Sequence, residues 1–174
     1  APEIDFGLTV VKPAHGSRGV GVVSVDATTP NALVRALENI GPDASIIQEH
    51  LPDAKYGDVR LLLVGGEVLE SGGRFAAISR RPAPGEFRSN IHLGGTAGRA
   101  TITDEMLAVA STVGKSMKEW GLFFVGLDFV GAKLLEVNVF SPGGLPDAER
   151  LEDTPFTDRF FEALQNWKQN ESLK

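Results

Sequence analysis

The chain contains no cysteine among its 174 residues. That excludes disulfides, thiolate metal sites and cysteine nucleophiles, and leaves the compartment undecided. No apolar run approaches the length of a membrane span, and the first residues lack the charged-then-apolar order of a signal peptide. Histidine is scarce: His15, His50 and His92 are scattered, without metal-ligand spacing. Positive charge is in deficit, with 17 lysines and arginines against 23 acidic residues, a net charge of −6 and a pI near 5.1. This balance argues against a binder of duplex nucleic acid or of anionic membranes. What is present is ordinary for a soluble globular protein: 42% hydrophobic and 23% charged residues. The length fits one domain with a sizeable core. The twenty glycines are the unusual feature, and they cluster.

Along the chain, Leu8–Lys12 reads as a short apolar strand ended by Pro13, and the link AHGSRG leads to a second strand, GVGVVSV. Thr29 is placed to cap a helix with Pro30 at its first position and Leu33, Val34 and Leu37 as its apolar stripe. Ser45–Glu49 is a third strand. From Gly57 to Ala77 the pattern is a hairpin turning at Gly65-Gly66. Residues 81–100 form a long polar loop, of a length that is usually functional or disordered. Thr103 caps the next helix, with Asp104 and Glu105 in its first turn and Met106, Leu107, Ala110, Val113 and Met117 inward, up to Gly121. Two strands, FFVGLDFV and KLLEVNVF, flank Gly131. A last helix from Thr154-Pro155 buries Phe156, Phe160, Phe161, Leu164 and Trp167. Helices mixed with mainly antiparallel strands predict an α+β fold in two small lobes.

The stretch LLEVNVFSPGG (134–144) raises a question about Glu136. Strict alternation puts Leu134, Glu136, Asn138 and Phe140 on one face of a strand and Leu135, Val137 and Val139 on the other. With both faces otherwise apolar, the strand reads as buried on both sides, and a buried carboxylate needs a cation. The preceding strand carries one charge, Asp128. A three-residue hairpin loop centred on Ala132 sets Asp128 directly opposite Glu136, whereas a two-residue turn sends it to the other face. Two carboxylates and the Asn138 amide, all hard oxygen donors, suit Mg²⁺ completed by water and phosphate oxygens. The alternative cation is one of Arg60, Arg80, Arg81 or Arg88.

Three further constellations are weaker taken singly. KPAHGSRGVGV is neither a Walker loop nor a dinucleotide fingerprint. A strand–glycine loop–strand hairpin can fold over phosphates, with Lys12 as a point charge, or be a plain flexible hairpin. In IIQEHLPDAKYGDVR, backbone groups of Glu49, His50 and Leu51 can meet a purine edge, and Asp58 can accept from a ribose hydroxyl or bridge to a neighbouring cation. Arg80, Arg81, Arg88 and Asn90 make either an anion site or a solvated basic loop.

In sequence order these pieces form a lysine and glycine hairpin, an adenine linker, an Asp-x-Arg strand, an arginine loop, an Asp strand and a Glu-x-Asn strand. That order resembles the ATP-grasp ligases over roughly residues 8–165. GLFFVGLDFVGAKLLEVNVFSP is similar to bacterial glutathione synthetase, whereas EFRSNIHLGGTAGRATIT and GVGVV are more similar to the RimK-type ligases, which add glutamates to a ribosomal protein. The resemblance implies an ATP-grasp fold, with a small phosphate-loop lobe over about residues 1–55, a metal-binding lobe over about 56–174 and nucleotide between them. It implies that Lys12 contacts ATP phosphates and that the Gly16–Gly21 loop, with Ser17, Gly19 and Gly21, closes over them. Glu49, His50 and Leu51 would line adenine, and Asp58 would hold the sugar side. Arg88, Ser89 and Asn90 would contact nucleotide or acyl phosphate, with Arg80, Arg88 and Asn90 as the catalytic group. Asp128, Glu136 and Asn138 would hold two Mg²⁺, with Mn²⁺ as a substitute.

The implied activity is an ATP-dependent carboxylate–amine ligase working through an acyl phosphate, in the cytoplasm, on a small peptide carboxylate and an amino-acid amine. No nucleic acid or membrane partner is expected, and a homo-oligomer is an expectation for the full-length protein. A RimK-type ligase and an ATP-binding module inactive by itself are the alternatives. Family members carry an N-terminal domain before the segment matching Lys12, so the chain is expected to be a catalytic core. Phe140-Ser141-Pro142 stands where the family tends to have Thr-Ser-Pro.

Overall fold

A computed structural model of the chain describes residues 7–15, 19–42, 44–83 and 94–171. It divides into two compact units, Ala1–Pro52 and Asp53–Lys174, each with its own sheet. In the first unit the elements are β1 (Leu8–Pro13), β2 (Val23–Asp26), α1 (Ala32–Ile40) and β3 (Ser45–Glu49). β1 is the middle strand, antiparallel to β2 on one side and to β3 on the other. Among the described residues, the buried side chains of this unit are Val11 and Thr9 from β1 and Ala36 from α1.

Two boundaries in this unit differ from the sequence reading. Gly19 and Gly21 take positive φ (72° and 75°) and turn, so β2 starts only at Val23 instead of running through GVGVVSV. Thr29 does not cap α1. The Asp26 carboxylate captures the Thr28 N–H and hydroxyl (2.9 and 2.6 Å), which folds Thr29 into a turn. Asn31, at φ 62° and without a side-chain cap, is left to precede the helix.

A short 3₁₀ turn at Pro52–Tyr56 precedes β4 (Asp58–Val64), the first strand of the second unit. The expected return arm of the hairpin is divided by a second Gly-Gly pair. β5 (Glu67–Val68) pairs with β4, β6 (Glu70–Ser71) and β7 (Arg74–Phe75) form a side hairpin, and β8 (Ala77–Arg81) rejoins β4. Backbone bonds from Leu69 to Leu62 (2.9 Å) and from Leu62 to Ala76 (3.0 Å) close the neck. β9 (Thr96–Gly98) lies within the expected 81–100 loop and pairs with β8. Next come α2 (Asp104–Glu119), β10 (Phe124–Val130), β11 (Lys133–Asn138), α3 (Leu145–Glu152) and α4 (Phe156–Glu171). The main sheet runs β11-β10-β4-β8-β9, antiparallel throughout.

Strand alternation sorts this sheet into two faces. One carries Leu61, Leu63, Ala77, Val125, Leu127 and Phe129, and α2 covers it with Met106, Ala110 and Met117. α2 starts where its cap predicts: the Thr103 hydroxyl accepts the Met106 N–H at 3.3 Å. The other face packs Leu62, Val64 and Ile78 against Ala148 of α3 and Phe156 of α4. Of the residues expected inward on α4, Phe161 is 55% exposed and only edges against Phe160. Among the described residues no helix is long and apolar enough to cross a membrane.

Candidate functional site

The site on the second unit grows out of strand register. β10 and β11 are joined by a two-residue turn, Gly131-Ala132, with Val130 opposite Lys133 and Phe129 opposite Leu134. Gly131 takes φ 57°, the positive value that a two-residue hairpin turn needs at its first position. Such a turn alone would send Asp128 to the wrong face, but the register shifts by one residue between Phe129 and Asp128, so that Asp128 lies directly opposite Glu136. The expected pairing is therefore present by another route, with Leu135 as the extra residue. The bulge also corrects the expected alternation. Leu134 and Val137 both pack toward the α2 side, and Leu134 does not share a face with Glu136.

Burial also differs from expectation. β11 is an edge strand, and Glu136 is exposed, with no ion pair among the described residues. Asp128, one strand further in, is 2% exposed and takes the arginines that the sequence offered to Glu136. Arg60, its cross-strand partner on β4, binds it in bidentate fashion, Nε to Oδ1 and Nη2 to Oδ2, both at 2.7 Å. Arg80 Nη2 reaches Oδ2 at 2.8 Å. The Asn138 amide donates to the same oxygen at 3.1 Å, so Asp128, Glu136 and Asn138 gather on one face.

Arg80 is held from its other side by Asp58. Its Nε and Nη2 donate to the two Asp58 oxygens at 2.7 and 2.8 Å, across the β4–β8 pair. Asp58 thus has both oxygens engaged by a cation and is buried. This is the bridging alternative, and each oxygen keeps a further acceptor site. Gly57 permits the approach: at φ 113°, it lies so close to the Arg80 carbonyl oxygen that a Cβ would collide with it. On the far side, Arg60 Nη1 reaches the Gly143 carbonyl at 3.4 Å. The result is a row across three strands, Arg60–Asp128–Arg80–Asp58, with two positive and two negative charges.

The electrostatics follow from that order. Burial pushes the Asp58 carboxyl up, and the Arg80 hydrogen bond does not fully offset it, so its pKa stands above the ordinary value. Burial pushes Asp128 up as well, but two arginines outweigh it and hold the carboxyl below the ordinary value. Arg80 is drawn down by burial and drawn up more strongly by the two carboxylates.

The remaining candidates are placed as follows. Lys12 is half-buried on β1, opposite Ile46 of β3. Gly19 and Gly21 form the turn before β2. Glu49 ends β3 opposite Thr9, and the His50 N–H is donated to the Leu8 carbonyl at 3.3 Å, so the sheet already uses it. Leu51 is half-buried just before the 3₁₀ turn. Gly16, Ser17, Arg88, Ser89 and Asn90 lie outside the described residues. In the sequence, Arg60 stands out only as a candidate counter-ion. Its alternation with Asp58 in DVR is the signal that both project into this row.

Solved structures with this arrangement of sheets and helices define the class. The chain has the fold of ATP-grasp ligases. It is similar to ATP-grasp ligase PsnB complexed with precursor peptide PsnA2 and AMPPNP (TM-score 0.55, 20% identity, 94% of this chain and 48% of that one). It is also similar to PsnB complexed with minimal precursor, Mg and ADP (TM-score 0.54, 19% identity, 94% and 47%). Residues 4–153 match the model of the prokaryotic glutathione synthetase ATP-grasp domain, and the chain belongs to that family. Glutathione synthetase of Parasynechococcus marenigrum (strain WH8102) is 37% identical over 162 residues, covering 92% of this chain and 51% of the relative. That of Mesorhizobium japonicum (strain LMG 29417 / CECT 9101 / MAFF 303099) is 32% identical over 164 residues, covering 92% and 50%. The chain spans about half the length of the curated relatives it matches.

Proposed function

We propose that the chain is the nucleotide- and metal-binding part of an ATP-dependent carboxylate–amine ligase of the glutathione synthetase type. The observation that carries this reading is the convergence of Asp128, Glu136 and Asn138 on one sheet face, within a chain of this family. The donor set fits Mg²⁺: an exposed carboxylate without a cation stands opposite a buried one, and a half-turn of the Asn138 amide exchanges its N–H for its oxygen. When bound, two Mg²⁺ ions, exchangeable for Mn²⁺, would neutralise β- and γ-phosphate charge.

The chain's own residues have separable tasks on this reading. Lys12 offers a point charge to phosphate, and the Gly19–Gly21 turn lets backbone approach it. Glu136 and Asn138 present oxygens, while Asp128 is held still by Arg60 and Arg80. The γ-phosphoryl group passes from ATP to a peptide carboxylate, the amine attacks the resulting acyl phosphate, and phosphate leaves. No side chain need act as a covalent nucleophile. An ATP-consuming reaction of this kind belongs in the cytoplasm.

The test is an assay of the intact enzyme against a panel of amino acids and dipeptides, following phosphate release and product mass. Glutathione as product supports the reading. An extended peptide or protein instead favours a RimK-type ligase, which the similarity of EFRSNIHLGGTAGRATIT brings into view. Nucleotide binding without phosphate release under every pairing would overturn ligase activity in favour of a binding module.

A further inference from the structure

The row Arg60–Asp128–Arg80–Asp58 is more than a support for the fold. We propose that Asp58 is a positioning residue that acts through Arg80, and that the row sets how tightly Asp128, Glu136 and Asn138 hold a divalent cation. This rests on the metal reading above and adds to it a task for Asp58 and Arg80 that is separate from any contact with nucleotide.

Charge and screening couple the row to the cation. Arg60 and Arg80 both donate to Asp128, at 2.7 and 2.8 Å, so a cation arriving at that carboxylate faces two guanidinium charges. Water does little to screen them, because the side chains of Asp58, Arg80 and Asp128 are 8%, 9% and 3% exposed. Asp58 offsets one of those charges, since both its oxygens are spent on Arg80. Removing the Asp58 charge leaves the full Arg80 charge bearing on Asp128 and opposes the cation. Removing the Asp58 and Arg80 charges together restores the balance. Glu136 stands outside the row, exposed on the edge strand, so its contribution to the cation is separable from theirs.

The experiment measures Mn²⁺ affinity of the folded chain from the free-ion electron paramagnetic resonance signal, in the presence of a non-hydrolysable ATP analogue. Asp58→Asn should weaken Mn²⁺ by about tenfold or more, because the lost charge stands one guanidinium beyond Asp128 and Coulomb attraction to a divalent ion is still appreciable at that remove. The double variant Asp58→Asn/Arg80→Gln should return toward the parent value, an outcome that a merely structural role for Asp58 does not produce. The double variant also carries the test if Asp58→Asn fails to fold, and Mn²⁺ binding tenfold weaker than the parent would then overturn the proposal. Competition with ATP and 2′-deoxy-ATP provides the opposing arm. Unchanged Mn²⁺ affinity in Asp58→Asn, with loss of the parent's preference for ATP, makes Asp58 a ribose contact and overturns the proposal. Glu136→Gln separates the two levels. If it weakens Mn²⁺ while Asp58→Asn leaves it alone, only the charge row fails; if neither variant alters Mn²⁺ binding, the metal reading has failed too.

Discussion

The two faces of the main sheet are built from the same strands to opposite ends. On the α2 side, every buried side chain in the cluster is apolar, from Leu61 and Leu63 to Val125, Leu127 and Phe129. On the other side, Leu62, Val64 and Ile78 pack under α3 and α4, while Asp58, Arg60, Arg80 and Asp128 form a row of charges within the same layer. Burial on the first face stabilises without specifying chemistry, because hydrophobic attraction is non-directional. Burial on the second holds carboxylates and guanidinium groups in fixed geometry at a desolvation cost that their mutual attraction only offsets. One face holds the sheet together, and the other aims it.

Substitutions on the two faces should therefore differ in kind, and they can be ranked by their effect on stability. Leu63→Ala, at a fully packed position, should cost about 2–5 kcal/mol in denaturant unfolding. Mn²⁺ affinity per folded molecule should be unaltered. Coupled loss of affinity would show that the faces are not independent.

Arg60→Met comes next. It removes two hydrogen bonds from Asp128 but leaves Arg80 on that carboxylate, so about 1–3 kcal/mol should be lost. Mg²⁺ should recover part of this loss, since a ligand of the folded state stabilises it. It should recover none of the loss in Leu63→Ala beyond the parent's own gain. Thermal melts with and without Mg²⁺ compare the two.

How much of this was legible in the sequence differs between the faces as well. Apolar periodicity identified α2, its Thr103 cap and the strands beneath it, because each signal is local. The charged face depends on which residues sit opposite each other, and that is fixed by turns and bulges. A three-residue loop predicts the Asp128–Glu136 pairing, whereas a two-residue turn and a bulge at Leu135 produce it. Alternation along a single strand carries no sign that β11 lies at an edge, and this is why it predicts a buried Glu136. α3 was missed because LPDAERLE offers one short stripe, Leu145, Ala148 and Leu151, after a proline-glycine stretch that reads as loop. Gly144 before it and Pro146 in its first turn were the available signals.

The order of charges within the row should show in its response to pH, in protein free of metal. Asp58 has its pKa raised above the ordinary 3.8 and Asp128 has its pKa lowered below it. As pH falls, Asp58 should take its proton first. The folded state binds that proton more readily than the unfolded chain, so its protonation relieves a cost and does not destabilise. Asp128 works the other way: its contribution is fully present above 3.8 and is lost as pH falls through its lower folded value. Carboxyl carbon shifts followed by NMR should show the two on opposite sides of 3.8. The reverse order would mean that Arg80 serves Asp58 before Asp128.

The smallest effect on stability should come from Glu136, the exposed carboxylate proposed to meet the metal. Glu136 is exposed and has no ion pair among the described residues, so Glu136→Gln should shift unfolding by no more than about 0.5 kcal/mol. Had it been the buried partner of an arginine, the same change would have stranded a cation at a cost of about 3–5 kcal/mol. The isostere keeps the shape of the side chain and removes one negative charge from the face shared with Asp128 and Asn138. Mg²⁺-dependent phosphate release by the intact enzyme should fall to background while the melt stays where it was. Phosphate release and melting on the same preparation separate the outcomes: a variant that melts normally and still turns over ATP in Mg²⁺ removes Glu136 from the site. A variant that melts normally and is silent shows why an edge strand keeps an exposed carboxylate opposite Asp128, which two arginines hold.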